Sequence, residues 1–218
     1  MNQKDKFAKL LDEEDEFLIA ILDACRYDAL SNYLGEKVEK VRSLGINTQT
    51  WAKNTWDGKY DIVYISGVPF IGKVELKDYN GQEHFREVIN TWSHGWDDEL
   101  GTVPPESIVR DVKEQDHPRI IAHFVQPHVP HIGCDTIDFG EYGDTSLSNV
   151  AQKVEDEKLR LSYWNNLKLV WEEGVENLKD IWDGKMVVTS DHGEALGDEG
   201  YGHNMNVSVV REVPWAEM

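Results

Sequence analysis

Cysteine is scarce: Cys25 and Cys134 are the two in 218 residues, far apart and in no Cys-x-x-Cys or zinc-finger spacing. That argues against a disulfide framework, and reduced thiols suit the cytoplasm. Positive charge is scarce too, with 22 Lys and Arg against 41 Asp and Glu and a formal net charge of −19. Nucleic-acid binding draws affinity from cations that neutralise phosphates, and no basic cluster is present, so no nucleic-acid partner is expected. No apolar run is long enough to span a bilayer, and the opening MNQKDKFAKLLDEEDE is too charged for a secretory signal. No membrane partner is expected either. Repeats, low-complexity tracts and linkers are absent. What remains is a chain that can bury a substantial core, expected as one domain over residues 1–218. Oligomeric state has no signature in it.

The periodicity alternates. FLIAILDA (17–24) is a short apolar run of the kind buried on both faces, and RYDALSNYLG after it reads as a helix closed by Gly35. VEKVRSLGI and YDIVYISG read as strands flanking a short helix that opens near Asn47 or Thr48 and ends at Gly58. EHFREVINTW and PPESIVRDVKEQ read as helices, PRIIAHFVQP as a buried strand, and KMVVTSD as the last clear strand. Between them, Leu147 to Trp182 is helical, with Tyr163, Leu167, Trp171, Leu178 and Trp182 on one core-facing stripe and Gly174 a weak point. Strands alternating with helices imply a mostly parallel sheet covered on both faces.

Ligands of open α/β sheets bind beyond the carboxyl ends of strands. Here those exits carry Asp23, followed by Ala24-Cys25-Arg26; then Asn47, Thr48 and Thr50; then His123, His128 and His131; then Asp191-His192, with His203 on the loop beyond. Singly, each has a dull explanation as a cap, a turn or a solvated side chain. Their coincidence on one edge does not. Carboxylate plus imidazole suits Zn²⁺ or Mn²⁺, whereas Ca²⁺ and Mg²⁺ prefer oxygens alone. A cation would also reverse the local field of an acidic chain for an anionic ester substrate, and would activate a threonine alcohol that is a poor nucleophile on its own.

Together, ILDACRYDAL, NTQTW, QPHVPH and VVTSDHGEALGDEGYGH followed by REVPW resemble the alkaline phosphatase superfamily. The likeness is greatest to its sulfatase-like branch, which includes phosphoethanolamine transferases, phosphonate monoester hydrolases and arylsulfatases. It implies a three-layer α/β/α sandwich around a central, mostly parallel (mixed) sheet. It further implies that Asp23, Asp191 and His192 bind a catalytic divalent metal, with Thr48 as nucleophile completing the shell. His128 and His203 would bind the ester or a second metal, His131 would share that duty, and Arg26 would steady Asp23 or face the anion. Two departures qualify the likeness. The Cys-x-Pro-x-Arg motif that yields formylglycine in sulfatases does not occur in these 218 residues, and the sequence is expected to be a catalytic core without the membrane helices of the lipid-headgroup transferases or the usual C-terminal additions. The expectation is a metal-dependent hydrolase of phosphate mono- or diesters, or phosphonate esters, acting through Thr48. Its rivals are a sulfuric-ester hydrolase and a non-catalytic anion-binding protein.

Overall fold

The computed structural model describes residues 2–35, 37–72, 79–133, 137–139 and 146–218. Cys134 and part of the motif-free 68–103 segment lie outside the described residues. In chain order the strands are β1 (Phe17–Leu22), β2 (Val38–Arg42), β3 (Tyr60–Ser66), β4 (Phe85–Asn90), β5 (Arg119–Phe124), β6 (Lys185–Thr189), β7 (Ala195–Leu196), β8 (Tyr201–Gly202) and β9 (Glu212–Glu217). The helices are α1 (Gln3–Glu13), α2 (Tyr27–Leu34), α3 (Thr48–Thr55), α4 (Pro105–Lys113), α5 (Leu147–Ala151), α6 (Asp156–Leu169), α7 (Glu176–Lys179) and α8 (Ser208–Arg211).

Seven strands form one sheet in the order β2-β9-β6-β1-β5-β3-β4. Its pairings are parallel except where β9 runs antiparallel between β2 and β6. Helices flank this mixed sheet, giving the three-layer α/β/α sandwich. Strand β1 is buried at every position, which is why its sequence is continuously apolar rather than alternating. On one face, Phe7 of α1 packs against Trp51 and Trp56 of the α3 segment and Trp215 of β9. The aromatic stripe is core as expected: Tyr163, Leu167, Trp171 and Leu178 are buried, and Trp182 packs against the core cluster that holds Leu167, Trp171 and Leu178. A π-helical stretch, Val170–Val175, joins α6 to α7 and contains Gly174. A Cβ there would stand 2.8 Å from the Phe124 ring.

Three elements differ from expectation. FREVIN is the edge strand β4, not a helix. Helix α1 and strand β9 are not among the elements the periodicity predicts, although REVPW of β9 belongs to the motif set. Among the described residues no helix is long and apolar enough to cross a membrane. For the site, the essential fact is that β6, β1 and β5 are adjacent and parallel at the centre of the sheet. Asp191, Asp23 and His128 therefore leave the same edge side by side.

Candidate metal centre and active site

The turn after β1 is set tightly. Ala24 adopts a left-handed φ of 60°, a conformation that costs a non-glycine residue roughly 1–3 kcal/mol. Neighbours hold it there: the Ala24 N–H donates to Asp191 Oδ1 at 3.2 Å, Cys25 N–H to Ser190 Oγ at 2.8 Å, and the Tyr163 hydroxyl to Ala24 O at 2.8 Å. The exits of β1 and β6 are thereby stitched together. Beyond β6, Gly193 runs against α8, where a Cβ would meet Val209 O at 2.0 Å. Only glycine lets the chain turn His192 inward at that point.

Asp191 uses its two oxygens differently. Oδ1 accepts from the backbone of Ala24 and of His192, the latter at 2.9 Å, while Oδ2 accepts from the Thr48 hydroxyl at 2.7 Å. Thr48 opens α3 and is buried, with Asn47 capping the helix by accepting from Thr50 N–H at 2.9 Å. Thr50 is exposed and its hydroxyl is engaged with Asn47; Ser43 donates to the backbone oxygens of Gly45 and Asp191. Of the three hydroxyls, Thr48 is the one brought to the carboxylates.

His192 completes the group. Its Nε2 lies 3.3 Å from Asp23 Oδ1 and 3.4 Å from Asp191 Oδ2, and its Nδ1 lies 3.0 Å from Gly193 O. Burial opposes the imidazolium, but Asp191 and Asp23 outweigh it and raise the His192 pKa to about 10. For Asp23 burial works upward, yet His128, His192 and His123 overcome it and bring the carboxyl to about 2. Both Asp23 oxygens are buried and, among the described residues, have no hydrogen-bond partner. Two buried carboxylates beside one imidazole leave negative charge that the core cannot neutralise, which is the environment a cation fits. The spacing agrees. Two ligand atoms about 2.0–2.2 Å from one tetrahedral cation lie about 3.3–3.6 Å apart. The 3.3 and 3.4 Å from His192 Nε2 to Asp23 and Asp191 match this spacing, so these three suit a divalent ion that accepts oxygen and nitrogen; the Thr48 hydroxyl stands beside them at hydrogen-bond distance from Asp191.

A second group lies beside it. His203 Nδ1 is 3.1 Å from Glu194 Oε1, and the His203 ring centroid is 4.4 Å from that of His192 and 5.2 Å from that of His128. His128 is positioned by its backbone N–H donating to Asp23 O at 3.0 Å. Ligand atoms of His128, Glu194 and His203 all fall within 4.8 Å of one another. Burial would raise the Glu194 carboxyl, but His203, His128 and His192 hold it below its ordinary value. Both groups open on a cavity of about 600 Å³, walled further by Gln49, Asn149, Tyr201 and Asn204. Among the described residues that line it there is neither Lys nor Arg.

Arg26 and His131 are not among those lining residues. The Arg26 guanidinium grips Asp28 with two bonds, at 2.8 and 2.7 Å, meets Asp198 at 2.7 Å and donates to Glu194 O at 3.3 Å. Its charge is neutralised by two carboxylates, and it pins the loop that carries Glu194 instead of facing an anion. His131 is buried, bonded to Ser162 at 2.7 Å and packed on Phe139; burial, with His128 adding, lowers its pKa to about 3. Sequence alone gives Glu194 no role, although its place in Ser-Asp-His-Gly-Glu is the available signal. It gives none to Gln3 and places His123 only at a strand exit; the contacts of both are made by folding.

No protein-family model matches the chain, and no curated protein sequence matches it. Solved structures do. One is the integral membrane lipooligosaccharide phosphoethanolamine transferase A, EptA, of Neisseria meningitidis, at TM-score 0.62 and 14% identity over 92% of this chain and 47% of that one. Another is the C-terminal periplasmic domain of Escherichia coli EptC in complex with Zn, at 0.50 and 11% over 94% and 73%. A third is an alkaline phosphatase superfamily protein of Vibrio parahaemolyticus, at 0.50 and 11% over 93% and 59%. The chain spans about half the length of EptA. At these identities the likeness is one of fold. The fold, as the motifs implied, is the alkaline phosphatase-like one in its sulfatase-like form.

Proposed function

We propose that the protein cleaves phosphate mono- or diesters, or phosphonate esters, through a covalent intermediate on Thr48, with a divalent cation held by Asp23, Thr48, Asp191 and His192. The observation that carries this reading is the convergence of the Thr48 hydroxyl, two buried carboxylates and the His192 Nε2 at one point, with Asp23, Thr48 and His192 in the cavity wall and Asp191 behind them. A bound cation would supply positive charge to the threonine oxygen and to the ester oxygens. Zn²⁺ or Mn²⁺ suits the mixed donors, and one neighbouring fold was solved in complex with Zn.

The chain's own groups do the rest. Thr48 Oγ1, aligned by its hydrogen bond to Asp191 Oδ2, forms the bond to phosphorus as the ester P–O bond breaks, and its proton leaves to solvent in the cavity. The N-terminus of α3 presents backbone N–H groups toward the anionic ester. Glu194 orients the His203 ring, and His203 and His128 donate to the ester or protonate the departing alcohol. The substrate is a small anionic ester, with no nucleic-acid or membrane partner, and the proposed compartment is the cytoplasm. In hydrolysis, water releases the phosphoryl group from Thr48. A second reading, release onto an alcohol acceptor, is favoured by the transferase named among the neighbouring folds.

The test compares kcat/KM for aryl phosphate, phosphodiester, phosphonate and sulfate esters sharing one leaving group, with Zn²⁺ or Mn²⁺ saturating and with and without added alcohols. Phosphorus esters should exceed sulfate by at least about a hundredfold, roughly 2.7 kcal/mol, because a threonine cannot expel sulfate as formylglycine does. Equal or faster sulfate cleavage overturns the reading, and a metal-loaded protein that turns over no ester is a binding protein. Product formation that tracks the added alcohol selects transfer.

A further inference from the structure

One buried histidine faces the same centre from below. His123 belongs to β5, where the register sets it beside Ile21 of β1 and Ser66 of β3, and it is fully buried. Its Nδ1 is 2.7 Å from the hydroxyl of Tyr64, itself fully buried, and the Trp51 ring stands edge-on at 6.0 Å, so the imidazole has one orientation. Among the described residues its Nε2 has no hydrogen-bond partner. That nitrogen lies 3.9 Å from Asp191 Oδ2, the oxygen that also meets Thr48, and ligand atoms of Asp23, His123 and Asp191 all lie within 4.8 Å of one another.

The comparison with His192 is direct. Each ring has its Nδ1 engaged, by Gly193 O in one case and by Tyr64 in the other, and each turns Nε2 toward the same pair of carboxylates. This is the arrangement of a metal-ligating histidine, whose outer nitrogen is fixed by a second partner. An imidazole nitrogen buried with nothing to bond costs about 1–3 kcal/mol, so a merely structural His123 has no compensation for the side it leaves empty. Asp23, Thr48 and His192 line the cavity, whereas Asp191 and His123 do not. His123 therefore approaches from the floor, opposite the side open to substrate.

We propose that His123 is a further protein ligand of the buried cation, donating Nε2 from the floor of the site, with Tyr64 as the partner that orients it. This rests on the proposed metal centre and adds a second imidazole to it. Two imidazoles bias the centre toward Zn²⁺ or Co²⁺ and against Mg²⁺ and Ca²⁺.

The experiment uses the full chain carrying His128→Ala and His203→Ala, so that one centre is observed, stripped of metal and titrated with Co²⁺. Affinity is read by competition with a chromophoric chelator, and the ligand set by the visible spectrum of the bound ion. Adding His123→Gln should weaken Co²⁺ at least tenfold and alter the position and intensity of its bands. Tyr64→Phe should weaken binding by less and leave the bands in place, because it disturbs orientation alone. A folded His123→Gln protein with unchanged affinity and spectrum overturns the proposal while leaving the metal centre standing. If His123→Gln does not fold, the parent protein decides: proton NMR of its Co²⁺ form should show two exchangeable, paramagnetically shifted ring N–H signals, from His123 and His192. One signal overturns the proposal. Failure of the wild-type chain to bind Co²⁺, Zn²⁺ or Mn²⁺ overturns the metal centre and this ligand with it.

Discussion

Thr48 and Thr50 are two residues apart and do different work. Thr48 donates to Asp191, while Thr50 is engaged at the helix cap. Thr48→Ala should keep its fold and metal affinity within a few-fold yet lose turnover by several orders of magnitude, read by steady-state kinetics and by intact-mass detection of the phosphoryl adduct. Thr50→Ala should cost about 0.5–1 kcal/mol in a denaturant melt and remain active; a reversed outcome moves the nucleophile. The proton on His192 sets a second expectation. Its folded pKa, raised to about 10, stabilises the metal-free protein fully below about 6.5, and that stability is lost as pH climbs toward 10. Asp23, lowered to about 2, stabilises above about 3.8 and fails as pH falls through 2. The metal-free protein should thus be most stable between about pH 4 and 6.5. Metal must displace the His192 proton, so Zn²⁺ affinity should rise about tenfold per pH unit from 6.5 toward 10, measured by chelator competition. A plateau above pH 7 would mean that Asp23 and Asp191 do not hold that proton. Much of this site was legible because Asp191 and His192 are adjacent and sit in one motif with Glu194 and His203. His123 was not: a strand-exit histidine and an unpaired buried one look alike until the β1–β5 register is known.

Helix α1 supplies a support that no motif announced. Gln3 is fully buried and uses its whole amide: Nε2 donates to Thr189 Oγ1 at 2.9 Å and to Ser190 O at 2.7 Å, and Oε1 accepts from Trp51 Nε1 at 2.7 Å. It therefore fastens the end of β6, two residues before Asp191, to the helix that begins at Thr48. Gln3→Ala leaves the Trp51 N–H buried and unpaired, so urea unfolding should show a loss of about 1–3 kcal/mol. Turnover should fall with metal affinity nearly unchanged, because the nucleophile shifts relative to its acids; full activity in the folded variant would make α1 a scaffold only. The sequence hid α1 because its buried stripe is narrow, with Gln3, Phe7 and Leu10 among charged neighbours. It hid β9 for another reason. Pro214 interrupts the apolar run, yet it sits one residue beyond the β6–β9 ladder, which ends at Thr189 and Trp215; it pairs with Lys40 of β2 alone, and its carbonyl is taken by the Thr189 hydroxyl at 2.6 Å. FREVIN misled because Phe85, Val88 and Ile89 follow helical spacing. As an edge strand, β4 buries too little to show an alternating pattern.

At the scale of the whole molecule, the alternation of strands and helices made the sandwich legible, because each central strand had to be apolar to be covered twice. The motifs then fell together for a topological reason: β6, β1 and β5 are neighbours, so the residues following them share one edge. Acidity is a separate property, and it meets the cavity in a way that composition alone could not disclose. The described wall of that cavity offers no Lys or Arg, so beyond the cation and its histidines nothing there offsets the chain's −19 charge. Diffusional encounter with an anion is then opposed at long range and favoured only at contact. Screening shortens the repulsion, from a Debye length of about 30 Å at 0.01 M salt to about 8 Å at 0.15 M. For a dianionic phosphomonoester, kcat/KM should therefore rise about two- to tenfold over that range, and by less for a singly charged phosphodiester. A fall with added salt would reveal a positive field in front of the site. The same repulsion acts on the inorganic phosphate left after the reaction: it should escape readily and inhibit weakly, and that inhibition should strengthen as ionic strength is raised.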